Sequence, residues 1–220
     1  MKIVAVSDLH GNLPGMNGPG IEECDVLVIT GDIIPCEIQR DLFQSWWWFN
    51  NIFLKWCDSV PCEKVIFIAG NHDFFLVGEE PFEVGKVQYL FDSGCEYNGI
   101  KFWGSPWITG LPNWAFNVID DVQYNKFWMM PNDTEILLSH TPPKVGGCGK
   151  TDEHQMGRSI DFGSEPLRKI LDDKHPRYLF CGHIHSGDHN ETEYKSTKII
   201  NCSILDEAYS VNYPPTIVNI

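Results

Sequence analysis

Basic residues are few and never clustered in this 220-residue chain. Its 16 lysines and arginines stand against 30 aspartates and glutamates, a formal net charge of −14. Gripping an extended nucleic-acid backbone requires clustered Lys and Arg, so that partner class is not expected. No segment reaches the ~20 consecutive apolar residues of a membrane-spanning helix. The opening, MKIVAVSDLHG, has too short an apolar stretch for a secretory leader and meets Asp8 and His10 without a small-residue cleavage site. The eight cysteines, at 24, 36, 57, 62, 95, 148, 181 and 202, include no Cys-x-x-Cys pair. They read as reduced, mostly buried thiols of a cytoplasmic protein rather than a disulfide framework. Repeats, low-complexity tracts and linkers are also missing, so residues 1–220 are expected to form one domain.

Apolar material is plentiful, at 43% of residues, and it comes in short β-branched runs: KIVAVSD (2–8), VLVITGD (26–32), KVIFIAGNH (64–72), EILLSH (135–140) and YLFCGH (178–183). Runs apolar on every position predict strands buried on both faces. Between the second and third, residues 40–57 carry Leu42, Trp46, Phe49 and Phe53 at helical spacing, which predicts an amphipathic helix. A second helix is expected over 164–171, with Ser164 as N-cap and Pro166 in the first turn. Asn98-Gly99 predicts a hairpin within 96–105, and 193–203 and 215–220 read as strands. The pattern is α/β units joined to hairpins.

Each of the five buried runs stops on a polar group: Asp8-x-His10, Gly31-Asp32, Gly70-Asn71-His72-Asp73, Ser139-His140 and Gly182-His183-Ile184-His185. Ligands of open α/β sheets gather outside the carboxyl ends of the strands. A lone histidine there is usually structural, but five of the eight histidines fall in these spots. Mixed Asp and His donors suit manganese, iron or zinc better than calcium or magnesium, and one carboxylate can bridge two ions. Glycines 31, 70 and 182 leave room for close backbone approach.

The series DLH, GD, GNHD, SH and GHIH, spread in order from residue 8 to residue 185, resembles that of the calcineurin-like metallophosphoesterases, closest to the MPPED-type phosphodiesterase branch through NGIKFWGSPW (98–107) and SHTPP (139–143). The resemblance implies a four-layer α/β/β/α sandwich of mixed sheets with flanking helices. It implies two divalent ions, manganese first, with iron, zinc or magnesium as alternatives. Asp8, His10, Asp32 and His185 would hold one ion. Asp32, Asn71, His140 and His183 would hold the other, with Asp32 bridging. His72 would assist the leaving oxygen. The implied reaction is hydrolysis of a small phosphate ester, a diester before a monoester, by a hydroxide bridging the metals. A non-catalytic binding module on the same fold is the alternative, disfavoured because all seven ligand positions are filled.

One departure stands out. Protein Ser/Thr phosphatases carry an Asp-Arg pair three residues after the bridging carboxylate, and this chain has Pro35-Cys36 there. A phosphoprotein substrate is therefore not expected, and Asp73 is the candidate substitute for the carboxylate that orients His72. GGCGKT (146–151) is not a phosphate-binding P-loop, because Lys144 stands where the first glycine belongs; a flexible loop beside His140 is expected, its Lys144, Lys150 and Arg158 solvated. SWWWFN (45–50) puts three tryptophans around one helix; one or two should be core, and the others either cover a loop or form a homo-oligomer contact, ordinary packing being favoured. Trp107, Trp114 and Phe116 either line a substrate pocket or pack on one another. His154, His175 and His189 have no assigned role.

Overall fold

Every one of the five apolar runs becomes a strand in the computed structural model, which describes residues 1–16, 20–155 and 158–220. In chain order the elements are β1 (Lys2–Val6), β2 (Cys24–Ile29), α1 (Leu42–Trp48), a π-helical turn (Phe49–Phe53), α2 (Leu54–Ser59), β3 (Cys62–Phe67), β4 (Phe82–Val84), β5 (Val87–Tyr89), β6 (Ser93–Tyr97) and β7 (Ile100–Ser105). They continue with α3 (Asp120–Trp128), β8 (Ile136–Ser139), β9 (Lys150–Gln155), β10 (Arg158–Asp161), α4 (Glu165–Asp173), β11 (Tyr178–Cys181), β12 (Thr192–Tyr194), β13 (Thr197–Asn201) and β14 (Thr216–Asn219).

Among the described residues there are two six-stranded sheets and one two-stranded ribbon, β10-β9. The sheets run β14-β1-β2-β3-β5-β4 and β12-β13-β11-β8-β7-β6. In each, four parallel strands are flanked by an antiparallel strand on either edge. Alternation then divides the side chains. Ile3, Ala5, Val26, Val28, Ile66 and Ile68 of the first sheet meet Phe102, Ile136, Leu138 and Phe180 of the second in one buried cluster. The opposite faces are covered by α1 and α2 on the first sheet and by α3 and α4 on the second. The result is the α/β/β/α sandwich, and its buried strands need apolar residues at every position, as seen in the sequence.

The expected strands overran. The ladders end at Val6, Ile29, Phe67, Ser139 and Cys181, so Asp8, Asp32, His72, His140 and His183 lie in loops just beyond them. Asp8, His10, Asp32 and His183 have φ of 54°, 41°, 53° and 69°, which no strand accommodates. The single helix expected over 40–57 is broken by the π turn at 49–53, and the extra residue rotates the buried face. Phe49, Phe53, Trp56 and Cys57 are buried, whereas Leu42 and Trp47 are exposed. The strand expected over 193–203 is the β12–β13 hairpin, turned at Lys195 with φ 54°. Helix α3 was missed because it has no apolar stripe: it buries only Gln123 and Phe127. Ser164 caps α4 as expected, its hydroxyl accepting from Leu167 N–H, and Asn98 and Gly99, both at positive φ, turn the β6–β7 hairpin. No helix among the described residues is long and apolar enough to cross a membrane.

Candidate metal centre

The loops after β1, β2, β3, β8 and β11 converge at one edge of the two sheets. Backbone bonds hold the first two together: Asp8 N–H donates to Gly31 O at 3.0 Å, and His10 N–H to Asp32 O at 2.9 Å. Glycine is required where these loops touch. A Cβ on Gly31 would lie 2.7 Å from His140 Nδ1, one on Gly70 would strike the Asp32 carboxylate, and one on Gly182 would strike Ser7 and Asp8.

Asp32 is the hub. Its Oδ1 accepts from His72 N–H at 2.7 Å. Its Oδ2 lies 3.3 Å from His140 Nε2, 3.7 Å from His10 Nε2 and 3.9 Å from His72 Nε2. Asp8 Oδ1 is 3.5 Å from His185 Nε2, and its carboxylate accepts from His183 N–H at 3.0 Å. Asn71 Oδ1 is 3.0 Å from His140 Nε2, and the His183 ring stands 5.0 Å from that of His140. Two backbone carbonyls set the imidazoles. His140 Nδ1 meets Thr30 O at 2.8 Å and His185 Nδ1 meets Asp206 O at 3.0 Å, which turns both Nε2 atoms inward, the way metal-binding histidines are oriented.

The charges are closely matched. Burial works against the Asp8 and Asp32 carboxylates, but histidine partners, His185 for Asp8 and His140 foremost for Asp32, hold both below the usual range. Burial likewise opposes charge on His140 and His185. There the Asp32 and Asp8 carboxylates win and raise each imidazole to about 9. Burial prevails at His10, lowered to about 4, and at His183, lowered to about 3. Among the described contacts no lysine or arginine reaches Asp8 or Asp32. The positive charge facing these carboxylates comes from the histidines.

The donors fit such an ion. Ligand atoms of Asp8, His10 and His185 lie within 4.8 Å of one another, as do those of Asp8, Asp32 and His140. The buried His10 Nε2 has no hydrogen-bond partner, an orphaned ring nitrogen of the kind metal coordination satisfies.

Asp73 is the correction. Its buried carboxylate accepts from the N–H groups of Ile33 at 3.0 Å, Ile34 at 3.1 Å and Gly70 at 2.8 Å, and burial together with the Asp32 charge raises it to about 7. It buckles the second and third loops to each other and leaves His72 Nδ1 buried without a partner. Asp73 is turned to the main chain and does not bond His72 Nδ1, so the orienting role is not filled by Asp73. The aromatic loop divides. Trp114 lies with its ring centroid 4.4 Å from that of His72. Trp107 instead donates Nε1–H to Asp92 at 2.9 Å and packs on Phe91 and Phe116, and Phe116 is buried. Of the remaining histidines, His189 is wedged between Asn201 O, His185 O and the Tyr213 ring, His175 is exposed, and the side chains of His154 and Arg158 fall outside the described residues.

Three rim residues escaped the sequence reading. Cys36 Sγ is 3.3 Å from His10 Nδ1. Tyr209 is edge-on to His10 at 4.9 Å and to His185 at 5.0 Å. The Arg40 guanidinium lies 4.0 Å over the Phe74 ring and 5.3 Å from that of Trp114, and donates to Asn113 O at 3.2 Å. None stands in a motif. Cys36 alone carried a signal, as the departure from the phosphatase pattern.

Comparison with known proteins gives the family and the fold. Residues 1–187 match the calcineurin-like phosphoesterase family model. The Caenorhabditis elegans UPF0046 protein T07D4.2 is 30% identical over 89% of this chain, which spans 54% of that protein. Human metallophosphoesterase domain-containing protein 1 is 25% identical over the whole chain, which covers 71% of its length. The crystal structure of phosphopantetheinyl hydrolase from Mycobacterium tuberculosis shares the fold at TM-score 0.56 and 14% identity, over 94% of this chain and 90% of that one.

Proposed function

The chain belongs to the calcineurin-like phosphoesterase family, and from that premise we propose that it is a two-metal phosphodiesterase acting on small organic or nucleotide-like diesters. The observation that carries the substrate class is the contact between His72 and Trp114. A flat apolar ring beside the residue that handles the leaving oxygen suits a flat organic leaving group, because stacking contributes ~1–3 kcal/mol per base. Arg40, held over Phe74 and beside Trp114, adds a cation for any further anionic group on that moiety. The Pro35-Cys36 segment lacks the Asp-Arg pair of protein phosphatases, and the net charge of −14 repels acidic phosphopeptides.

Asp8, His10, Asp32 and His185 would hold one ion, and Asp32, Asn71, His140 and His183 the other. Two divalent ions supply Lewis acidity for the phosphoryl oxygens and lower the pKa of water toward neutrality. The protein's share is positional. Thr30 O and Asp206 O fix two imidazoles, Asp73 joins the loops that carry Asp32 and Asn71, and His72 passes a proton at the leaving oxygen. The test is a manganese-supplemented screen of bis-p-nitrophenyl phosphate, p-nitrophenyl phosphate and 2′,3′- and 3′,5′-cyclic nucleotides. Diester turnover above monoester turnover is expected. Monoester turnover alone would reassign the substrate class, and no turnover with full metal loading would favour a binding module.

A further inference from the structure

Far from the metal centre, at the amino ends of β2 and β3, stand two cysteines. Cys24 is the first residue of β2, Cys62 is the first residue of β3, and the two are register partners in adjacent parallel strands. Neighbouring strands lie about 4.8 Å apart, within the ~4.4–6.8 Å Cα separation that a disulfide spans. Both side chains pack on the same helix-side core, so they leave the sheet on one face. Both line an open surface cleft together with Lys2, Pro61 and Glu63, so a small solute has access. Both are free thiols.

The surroundings favour an anion on Cys62. Lys86 Nζ donates to Val60 O at 2.7 Å and to Cys62 O at 3.1 Å, which fixes an ammonium group beside it. The neighbouring Cys24 thiol, with the Lys86 charge, lowers the Cys62 thiol to about 7 against the effect of burial. The other half-buried cysteines go the opposite way: burial raises Cys36 and Cys95 to about 11.

We propose that Cys24 and Cys62 form a thiol-oxidation site, at which a peroxide converts the pair to an intramolecular disulfide. The Cys62 thiolate attacks a peroxide oxygen, the O–O bond breaks, and Cys62 becomes a sulfenic acid. The Cys24 sulfur then displaces its hydroxyl to close the S–S bond. Overall two thiols and one hydrogen peroxide give one disulfide and two waters. The peroxide is reduced by the two electrons the sulfurs lose, and the two thiol protons end in the waters.

The test uses the intact chain treated with hydrogen peroxide, capped with N-ethylmaleimide, digested and analysed by mass spectrometry. The expected product is a Cys24–Cys62 linked peptide pair, lighter by two hydrogens and restored by dithiothreitol. In C24S, with its resolving thiol removed, dimedone should trap a sulfenic acid on Cys62. Under limiting iodoacetamide at neutral pH, Cys62 should react roughly 10²-fold faster than Cys36 or Cys95, a thiolate-fraction advantage partly offset by lower intrinsic nucleophilicity. Peroxide products on Cys62 without the linked peptide, a Cys57–Cys62 link in its place, or faster alkylation of Cys36 or Cys95 would each overturn the assignment.

Discussion

His72 and Trp114 face each other at the edge of the metal centre, ring centroids 4.4 Å apart and tilted by 46°. The imidazole is also 3.9 Å from the Asp32 carboxylate, so one residue touches both the ion-holding cluster and the surface that would receive a leaving group. His72→Gln should keep its metal content while turnover falls about 10²–10⁴-fold, the usual contribution of a general acid. Elemental analysis beside kinetics decides it: loss of an ion in His72→Gln would make His72 a ligand.

Trp114 should separate substrates by leaving group. Trp114→Ala is expected to raise KM at least about fivefold for a nucleotide diester, the lower end of a stacking contact, and to change KM little for dimethyl phosphate, whose methanol leaving group has no ring to stack. Trp107→Ala, whose ring is tied to Asp92 and Phe116, should lower stability and leave the KM ratio of the two substrates unchanged. Equal KM effects on both substrates in Trp114→Ala would assign that ring to packing as well.

Asp32→Asn should empty both ion sites. Oδ1 is already committed to His72 N–H, so the replacement NH₂ would face His10 and His140 as an uncharged donor where an anionic acceptor stood. Reconstitution with excess Mn²⁺ followed by elemental analysis should give two ions per chain for the parent and none for the variant. A variant that kept one ion would show that Asp32 serves a single site.

Asp73→Asn is expected to act on stability. An amide in that position meets three main-chain N–H groups with one oxygen, leaving a buried donor facing donors, at a cost of about 1–3 kcal/mol per group. Urea unfolding of the metal-free chain should show the loss. Unchanged stability with a displaced pH–rate profile would return Asp73 to the catalytic machinery.

Gly182→Ala should lower metal occupancy, because its methyl group would strike Ser7 and the Asp8 carboxylate. Gly78→Ala is the contrasting control. Unlike Gly182 it sits at positive φ, 89°, and in open space, so backbone strain alone of about 1 kcal/mol is expected, with metal binding intact. Isothermal titration with Mn²⁺ on both variants separates crowding from strain.

Much of this is legible in the sequence because buried parallel strands and the polar loops that follow them write simple patterns. The five runs gave the sheets, and the polar groups behind them marked the converging loops. What failed had physical causes. Strand ends were overextended because Asp8, His10, Asp32 and His183 adopt left-handed backbone, which residue type alone does not announce. The π turn at Phe49–Phe53 follows from how aromatic rings settle against the first sheet, a tertiary effect. Helix α3 buries only Gln123 and Phe127, too little for a periodic signal. Adjacency in sequence puts Asp73 beside His72, whereas its carboxylate turns to Ile33 and Ile34, 40 and 39 residues away. Tyr209 and Arg40 reach the rim through long-range folding and belong to no motif.

The left-handed backbone at Asp8, His10, Asp32 and His183 also governs how mutants of this centre should be interpreted. Such a conformation disfavours most side chains by roughly 1–2 kcal/mol, while asparagine and glycine tolerate it. Replacing Asp8 or Asp32 with alanine therefore changes two things at once, the donor atom and the ease of the turn that presents it. Asparagine changes the charge and leaves the turn nearly as easy. An alanine scan would thus overstate the chemical importance of these four positions relative to Asn71, His140 and His185, which have no positive φ, whereas asparagine at Asp8 and Asp32 isolates donor chemistry from the turn.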